Sequence, residues 1–202
     1  MRNKGSVFIT GGAGFIGVNL VQYLLGKGNY KITVYDNLSS GSLSNLNNII
    51  RKSYKNGHVR FVKGDILDAS RLNKAIKEHD AVVHLAAQTS VIESVKHPRK
   101  DFMNNAVGTF NVLEAAVKNK VDRFIFASSN AVIGEQRPPI SEKMLPKPIS
   151  PYGANKLYGE NILRACFNCY GLKTVSLRFA NAYGPYSDYK ESVIAKFIRR
   201  IA

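Results

Sequence analysis

Thr10-Gly11-Gly12-Ala13-Gly14-Phe15-Ile16-Gly17 decides the fold. It follows the apolar run Val7-Phe8-Ile9 and opens an apolar-periodic segment from Phe15 to Leu25, a pattern that reads as strand, tight glycine turn, helix. Glycines at 12, 14 and 17 satisfy G-x-G-x-x-G, and those at 11, 14 and 17 satisfy the wider G-x-x-G-x-x-G spacing. Without Cβ atoms the turn takes positive φ and an anion approaches the backbone, while Gly17 lets the helix lie close on the strand. Unpaired N–H groups and the positive dipole end then face a diphosphate. Gly11, Gly14 and the first helical residues Phe15 and Ile16 are the candidate contacts.

The next strand-like run, Lys31-Ile32-Thr33-Val34-Tyr35, ends at Asp36, nineteen residues past Gly17. That is close to the roughly 20 expected for an acid that accepts from a ribose 2′-OH. A carboxylate there repels a 2′-phosphate, and no Lys or Arg occurs between Lys31 and Arg51 to neutralise one. The expected cofactor is NAD rather than NADP; the competing role for Asp36 is to cap a turn.

The chain has 202 residues, 45% of them apolar, as expected of a soluble globular protein with a sizeable core. Its net charge of +15 is spread along the chain, and the densest basic run, Arg51 to Lys63, contains Tyr54 but lacks the aromatic interleaving of a nucleic-acid platform. We expect no nucleic-acid partner. Cys166 and Cys169 lack the further ligands of a zinc site, so no metal is expected and the thiols read as reduced. No window approaches 18 uninterrupted apolar residues, and Arg2 and Lys4 lead straight into the first strand. Neither a membrane span nor a signal peptide is expected, and the location implied is cytoplasmic.

Further along, the periodicity predicts a helix over Ser42 to Tyr54, a strand over Val59 to Lys63 and a helix over Asp68 to His79. Asp65 ends the strand, either as acceptor for an adenine amino group or as cap of the following helix. Ala81 to Leu85 reads as a parallel strand buried on both faces. The small Ala86-Ala87-Gln88 after it let a cofactor ribose pass. A helix over Asp101 to Asn119 and a strand over Arg123 to Ala127 precede Ser128-Ser129-Asn130, and five of the seven prolines lie in a loop from Pro138 to Pro151. Ser150-Pro151 starts a helix that runs to Tyr170 with Gly171 as its stop, Lys173 to Phe179 is a strand, and a last amphipathic helix starts at Ser187. Alternating strands and helices imply an α/β doubly wound parallel sheet, with ligands at the carboxyl ends of the strands.

Tyr152 and Lys156 are four apart and share a helix face. A phenol with pKa near 10 must fall by about 3 units, or roughly 4 kcal/mol, to act as a base at neutral pH. A nearby ammonium in a partly desolvated site is of the right size to supply much of that. Ser129 is then placed to hold a substrate hydroxyl while Tyr152 takes its proton and the adjacent carbon gives hydride to NAD.

Together Gly11 to Gly17, Asp36-Asn37, Gly64-Asp65-Ile66, His84-Leu85-Ala86-Ala87-Gln88, Asn105-Ala106-Val107-Gly108-Thr109, Ser128-Ser129 and Tyr152-Gly153-Ala154-Asn155-Lys156 closely resemble the extended short-chain dehydrogenase/reductases. More narrowly, they are similar to the NAD-dependent sugar-nucleotide epimerase/dehydratase branch, as is Leu177 to Pro185. The resemblance implies Ser129, Tyr152 and Lys156 as catalytic residues, with Tyr152 and Lys156 also touching the cofactor. It adds Asn37, Asp65, Ile66, Leu85, Ala86 and Ala87 to the cofactor contacts and places Ser129, Asn130, Tyr152 and Asn181 against the substrate. Asn105 is implied as the helix asparagine that supports the site. Members that remove water carry an Asp-Glu pair after the catalytic hydroxyl, whereas this chain has Asn130-Ala131; the usual Val-Tyr-Gly is here Val132-Ile133-Gly134.

The expected activity is 4-epimerisation of a sugar nucleotide, a UDP-hexose first, through a 4-keto intermediate. The alternatives are a nucleotide-sugar oxidoreductase releasing NADH and a non-catalytic NAD-binding module. The expected organisation is a Rossmann domain over 1–178, the start of a substrate-binding region over 179–202 in a chain that continues, and a homodimer in the full-length form.

Overall fold

Alternation along each strand sends its side chains to opposite faces of a sheet, and in this chain both faces are apolar. In the computed structural model, which describes residues 5–52, 58–187 and 197, six strands form one all-parallel sheet. They are β1 (Gly5–Thr10), β2 (Tyr30–Asp36), β3 (His58–Lys63), β4 (Ala81–His84), β5 (Arg123–Ser129) and β6 (Lys173–Phe179), in the order β3-β2-β1-β4-β5-β6. The helices are α1 (Phe15–Lys27), α2 (Leu43–Lys52), α3 (Ala69–Ala75), α4 (Val91–Lys96), α5 (Pro98–Phe102), α6 (Gly108–Lys118) and α7 (Pro151–Tyr170). Val7, Ile9, Ile32 and Val34 pack with Val18, Val21 and Leu25 of α1 and Leu46 and Ile49 of α2. On the opposite face Phe8, Tyr35, Val82, Phe124 and Phe126 pack with Leu72, Leu113, Leu163 and Cys166 of α3, α6 and α7. The expected doubly wound sheet is therefore the observed one, and its order reverses between β1 and β4, where such sheets open a ligand crevice.

The ends of α7 follow from its sequence. Ser150 accepts from the Gly153 N–H, Pro151 occupies the first turn, and Gly171 closes the helix with φ of 71°. Three expectations are corrected. The helix anticipated over Asp68 to His79 ends at Ala75: Glu78 takes a left-handed φ of 63°, and the His79 ring bonds the carbonyls of Ile76 and Lys77. Residues 91–96 and 98–102 are helical although no element was expected before Asp101. Ser90 caps α4 on Glu93, a Ser-x-x-Glu signature, and Pro98 opens α5. Between α5 and α6 the helix widens into a single π turn, Met103–Val107. The end of the helix expected over Ser42 to Tyr54 lies outside the described residues, as does nearly all of the one expected from Ser187.

Candidate active site

At the start of the crevice Gly11 has φ of 68°, and its N–H donates to the Tyr35 carbonyl at 2.9 Å. A Cβ here would sit 2.6 Å from the Ala86 nitrogen, so only glycine permits both the turn and the contact with the segment after β4. Gly14 caps α1 without a side chain, and the first turn of α1 holds no acidic residue. The helix start therefore turns its positive dipole end toward the crevice with no acidic side chain beside it, which fits a diphosphate.

Asp36 lies at the end of β2, 8% exposed, with Oδ2 accepting from the Ala13 N–H at 3.0 Å and Oδ1 from the Leu38 N–H at 2.8 Å. Burial pushes its proton affinity up, and the two N–H groups hold it down. Each oxygen keeps a lone pair free, so the turn-capping role leaves the carboxylate able to accept from a ribose hydroxyl. Asp65 is not the helix cap: Asp68 caps α3 by accepting from Arg71. Asp65 instead accepts from the Leu67 N–H and from Asn37 Nδ2 at 2.9 Å, joining the ends of β2 and β3. Its backbone is fixed by Tyr35, whose hydroxyl donates to the Asp65 carbonyl. Ile66 is buried, and Leu85, Ala86 and Ala87 are half-buried beside the glycine turn, where the Leu85 N–H donates to the Thr10 carbonyl.

Behind this surface runs a directed chain of hydrogen bonds. The Thr109 hydroxyl donates to the Asn105 carbonyl at 2.6 Å, so its oxygen is free to accept from His84 Nε2 at 3.0 Å. His84 Nδ1 then accepts from the Thr10 hydroxyl at 2.7 Å. The ring stacks on Phe126 with centroids 5.7 Å apart, and burial, aided by the Lys156 charge, pushes the His84 pKa down to about 3. A histidine whose folded pKa lies below its unfolded value stabilises the fold above pH 6.5, and that contribution is lost as pH falls toward 3. Between those values the unfolded chain binds the extra proton. We expect the unfolding free energy of the wild type, from urea titrations, to fall more steeply between pH 6.5 and 4 than that of His84→Gln, by on the order of a few kcal/mol. Equal slopes would show that His84 is not the buried neutral group described.

Ser129, Tyr152 and Lys156 come together at the carboxyl end of β5. The two glycines of α7 allow it: a Cβ on Gly153 would meet the Ala131 carbonyl at 2.5 Å, and one on Gly159 the Phe126 ring at 2.6 Å. Ser129 caps the short 3-10 turn Asn130–Val132 by accepting from the Ala131 N–H. Its neighbour Ser128 faces away and donates to Glu160, which also takes both arms of Arg178 on β6 at 2.9 and 2.7 Å. Lys156 is 2% exposed; its ammonium donates to the Ala127 carbonyl at 2.9 Å and lies 5.8 Å from the Tyr152 ring centre. Burial brings the Lys156 pKa down to about 8, against the opposing pull of Asp101.

The expected depression of the phenol by this lysine does not describe the chain by itself. Burial raises the Tyr152 pKa, and Asp101 adds to the rise, while hydrogen bonding with Ser129 works the other way. With no further positive charge Tyr152 stays protonated. Asn130 and Asn181 are both exposed, Asn181 just past the end of β6. Asn105 is buried within the π turn, its side-chain oxygen accepting from the Gln88 N–H. The residues the sequence did not single out are Thr10 and Thr109, Glu160, and the pair Asp101 and Asn155; only the four-residue spacing of Asp101 and Asn105 gives any sign of the last group. Among the described residues no cluster of His, Cys, Asp or Glu suits a metal ion, both cysteines are free, and no helix is long and apolar enough to cross a membrane.

A doubly wound sheet with a glycine turn on its first helix, an acid ending the second strand and a Tyr-x-x-x-Lys helix beside the crevice defines a dinucleotide-binding α/β protein. The sequence profile of the NAD dependent epimerase/dehydratase family matches residues 7–202, and the chain belongs to that family. It is 38% identical over 200 residues to a putative UDP-glucose 4-epimerase of Methanocaldococcus jannaschii, covering 96% of this chain and 62% of the relative. It is also 36% identical over 202 residues to a dTDP-glucose 4,6-dehydratase of Streptomyces niveus, covering 96% of this chain and 59% of the relative. Among solved structures, UDP-N-acetylglucosamine 4-epimerase from Methanobrevibacter ruminantium M1, in complex with UDP-N-acetylmuramic acid, superposes with a TM-score of 0.88 at 38% identity. That match covers 100% of this chain and 63% of the other. UDP-glucose 4-epimerase from Brucella ovis in complex with NAD superposes at 0.80 and 41% identity, covering 89% and 53%. The chain thus spans roughly half to three-fifths of the proteins it matches.

Proposed function

We propose that this chain carries the NAD site and the catalytic residues of a UDP-sugar 4-epimerase. The observation that carries the reading is the meeting of Ser129, Tyr152 and buried Lys156 at the end of β5, with Asn130-Ala131 following the serine. Neither of those side chains can serve as acid or base, which speaks against dehydration although a dehydratase is among the relatives. Bound NAD supplies the hydride acceptor for the sugar C4 and the donor that restores it.

In this reading Asp36 holds the adenosine ribose, and the α1 start holds the diphosphate. Ser129 orients the C4 hydroxyl. Tyr152 takes its proton, and Lys156 contributes positive charge beside the phenol. The 4-keto sugar then turns over within the site and presents its other face, after which Tyr152 returns the proton.

The protein as its gene encodes it, incubated with UDP-glucose or UDP-N-acetylglucosamine and no added cofactor, is expected to yield the C4 epimer by NMR without net NADH absorbance. Stoichiometric NADH would favour the oxidoreductase, a 4-keto-6-deoxy sugar would favour the dehydratase, and NAD binding without turnover would favour the non-catalytic module.

A further inference from the structure

Asp101, on α5, is 0% exposed and has no cation within ion-pair distance among the described residues. An isolated buried carboxylate is costly, and it is retained where hydrogen bonds and a nearby opposite charge offset the loss of water. The hydrogen bonds are present. Oδ1 accepts from Asn105 Nδ2 at 2.7 Å and Oδ2 from Asn155 Nδ2 at 2.7 Å. Asn105 in turn pairs with the backbone of Gln88 through both its N–H and its carbonyl, at 3.0 and 2.9 Å. One carboxylate therefore ties together α5, the π turn, the segment after β4 that borders the cofactor crevice, and the first turns of α7. Asn155 immediately precedes Lys156.

We propose that Asp101 is a positioning residue of the active site, locking the Tyr152–Lys156 turn of α7 to the π turn and serving as the buried counter-charge of the Lys156 ammonium. The inference rests on the proposed roles of Tyr152 and Lys156, but its test requires no turnover. Lys156 lies against the Phe126 ring, 4.9 Å from its centre, and burial works to strip its proton. Asp101 opposes that loss and also raises the proton affinity of Tyr152. The other groups around Lys156 leave this task to Asp101. His84 on β4 is neutral, Tyr152 on α7 carries its proton, and Glu160 on α7 is paired with Arg178 of β6 and Ser128 of β5. Without the charge of Asp101, the lysine would give up its proton more readily and would help a phenolate form less.

The test is an NMR titration of the Lys156 side chain, labelled with 13C at Cε and assigned by Lys156→Arg. In the wild type the midpoint is expected near pH 8. In Asp101→Asn it is expected to fall by about one unit or more, as loss of a nearby buried opposite charge brings about. The double variant Asp101→Asn/Asn155→Asp exchanges the two side chains, restores a full donor and acceptor set and returns the carboxylate to the pair. Its Lys156 midpoint is expected to recover to the wild-type value or above. A midpoint unmoved in Asp101→Asn would overturn the proposal, leaving Asp101 a structural residue only. Should the single variant fail to fold, a double-variant midpoint more than about one unit below wild type would overturn it equally. Epimerisation measured alongside separates the readings: an inactive wild type whose Lys156 still responds to Asp101 refutes the proposed reaction and leaves this inference standing.

Discussion

Tyr152→Phe is expected to cut epimerisation by about 10³-fold or more, within the range for loss of a positioned acid–base group, while the melting temperature and NAD affinity stay close to those of the wild type. The ring is 8% exposed and its packing is kept by phenylalanine, so the substitution removes one hydroxyl at the edge of a crevice. That hydroxyl bonds Ser129, which retains its bond from the Ala131 N–H when the phenol is gone. Folding is therefore insulated from the change and chemistry is not. The protein holds Tyr152 in its protonated form by burial and by the Asp101 charge. Additional positive charge in the crevice would favour the phenolate. The measurement is kcat by NMR with NAD affinity by calorimetry on the same preparation. Turnover within tenfold of wild type would remove Tyr152 from the role of base.

The sheet, and the placement of the glycine turn and Asp36 at its carboxyl edge, were legible because their signals are local. Val7-Phe8-Ile9 followed by Gly11 to Gly17 specifies a strand, a turn and a helix within a dozen residues, and Asp36 is found by counting along the chain. Ser150-Pro151 and Gly171 likewise mark the ends of α7 by backbone chemistry alone. What escaped depends on meetings across the fold. Asp101 reaches Asn155 over 54 positions and Thr10 reaches His84 over 74, and no period in the sequence reports either. The π turn at Met103–Val107 leaves no trace in apolar spacing, although it places Asn105 where Asp101, Gln88 and Thr109 converge. A Cβ on Gly64 would meet the Tyr35 ring at 2.3 Å, so its smallness serves a packed tyrosine, a need that no local pattern reports. The proton affinity of Tyr152 likewise reflects burial, Asp101 and Ser129, none of which the spacing along one helix reports.

Gly17→Ala is expected to weaken NAD binding by at least tenfold, about 1.4 kcal/mol, without replacing any residue assigned to the cofactor. A Cβ at position 17 would lie 2.4 Å from Gly12 Cα and 2.5 Å from the Gly11 carbonyl oxygen. Both are backbone atoms of the glycine turn, and neither can rotate aside. The added methyl must push α1 away from the turn, and with it the helix start proposed to hold the diphosphate. Helix propensity acts in the opposite direction, since alanine is favoured over glycine by up to about 1 kcal/mol inside a helix. Gly26 on the same helix separates the two effects, because a Cβ there meets nothing within 4 Å. Gly26→Ala is therefore expected to leave NAD affinity unchanged and to hold or raise the melting temperature, while Gly17→Ala lowers both. Calorimetric titration with NAD and thermal melts of the three proteins decide the matter. Wild-type NAD affinity in Gly17→Ala would mean that close approach of α1 to β1 is not what builds the diphosphate site. If the Gly17→Ala affinity falls while Gly26→Ala is neutral, the loss belongs to that contact and not to alanine in the helix.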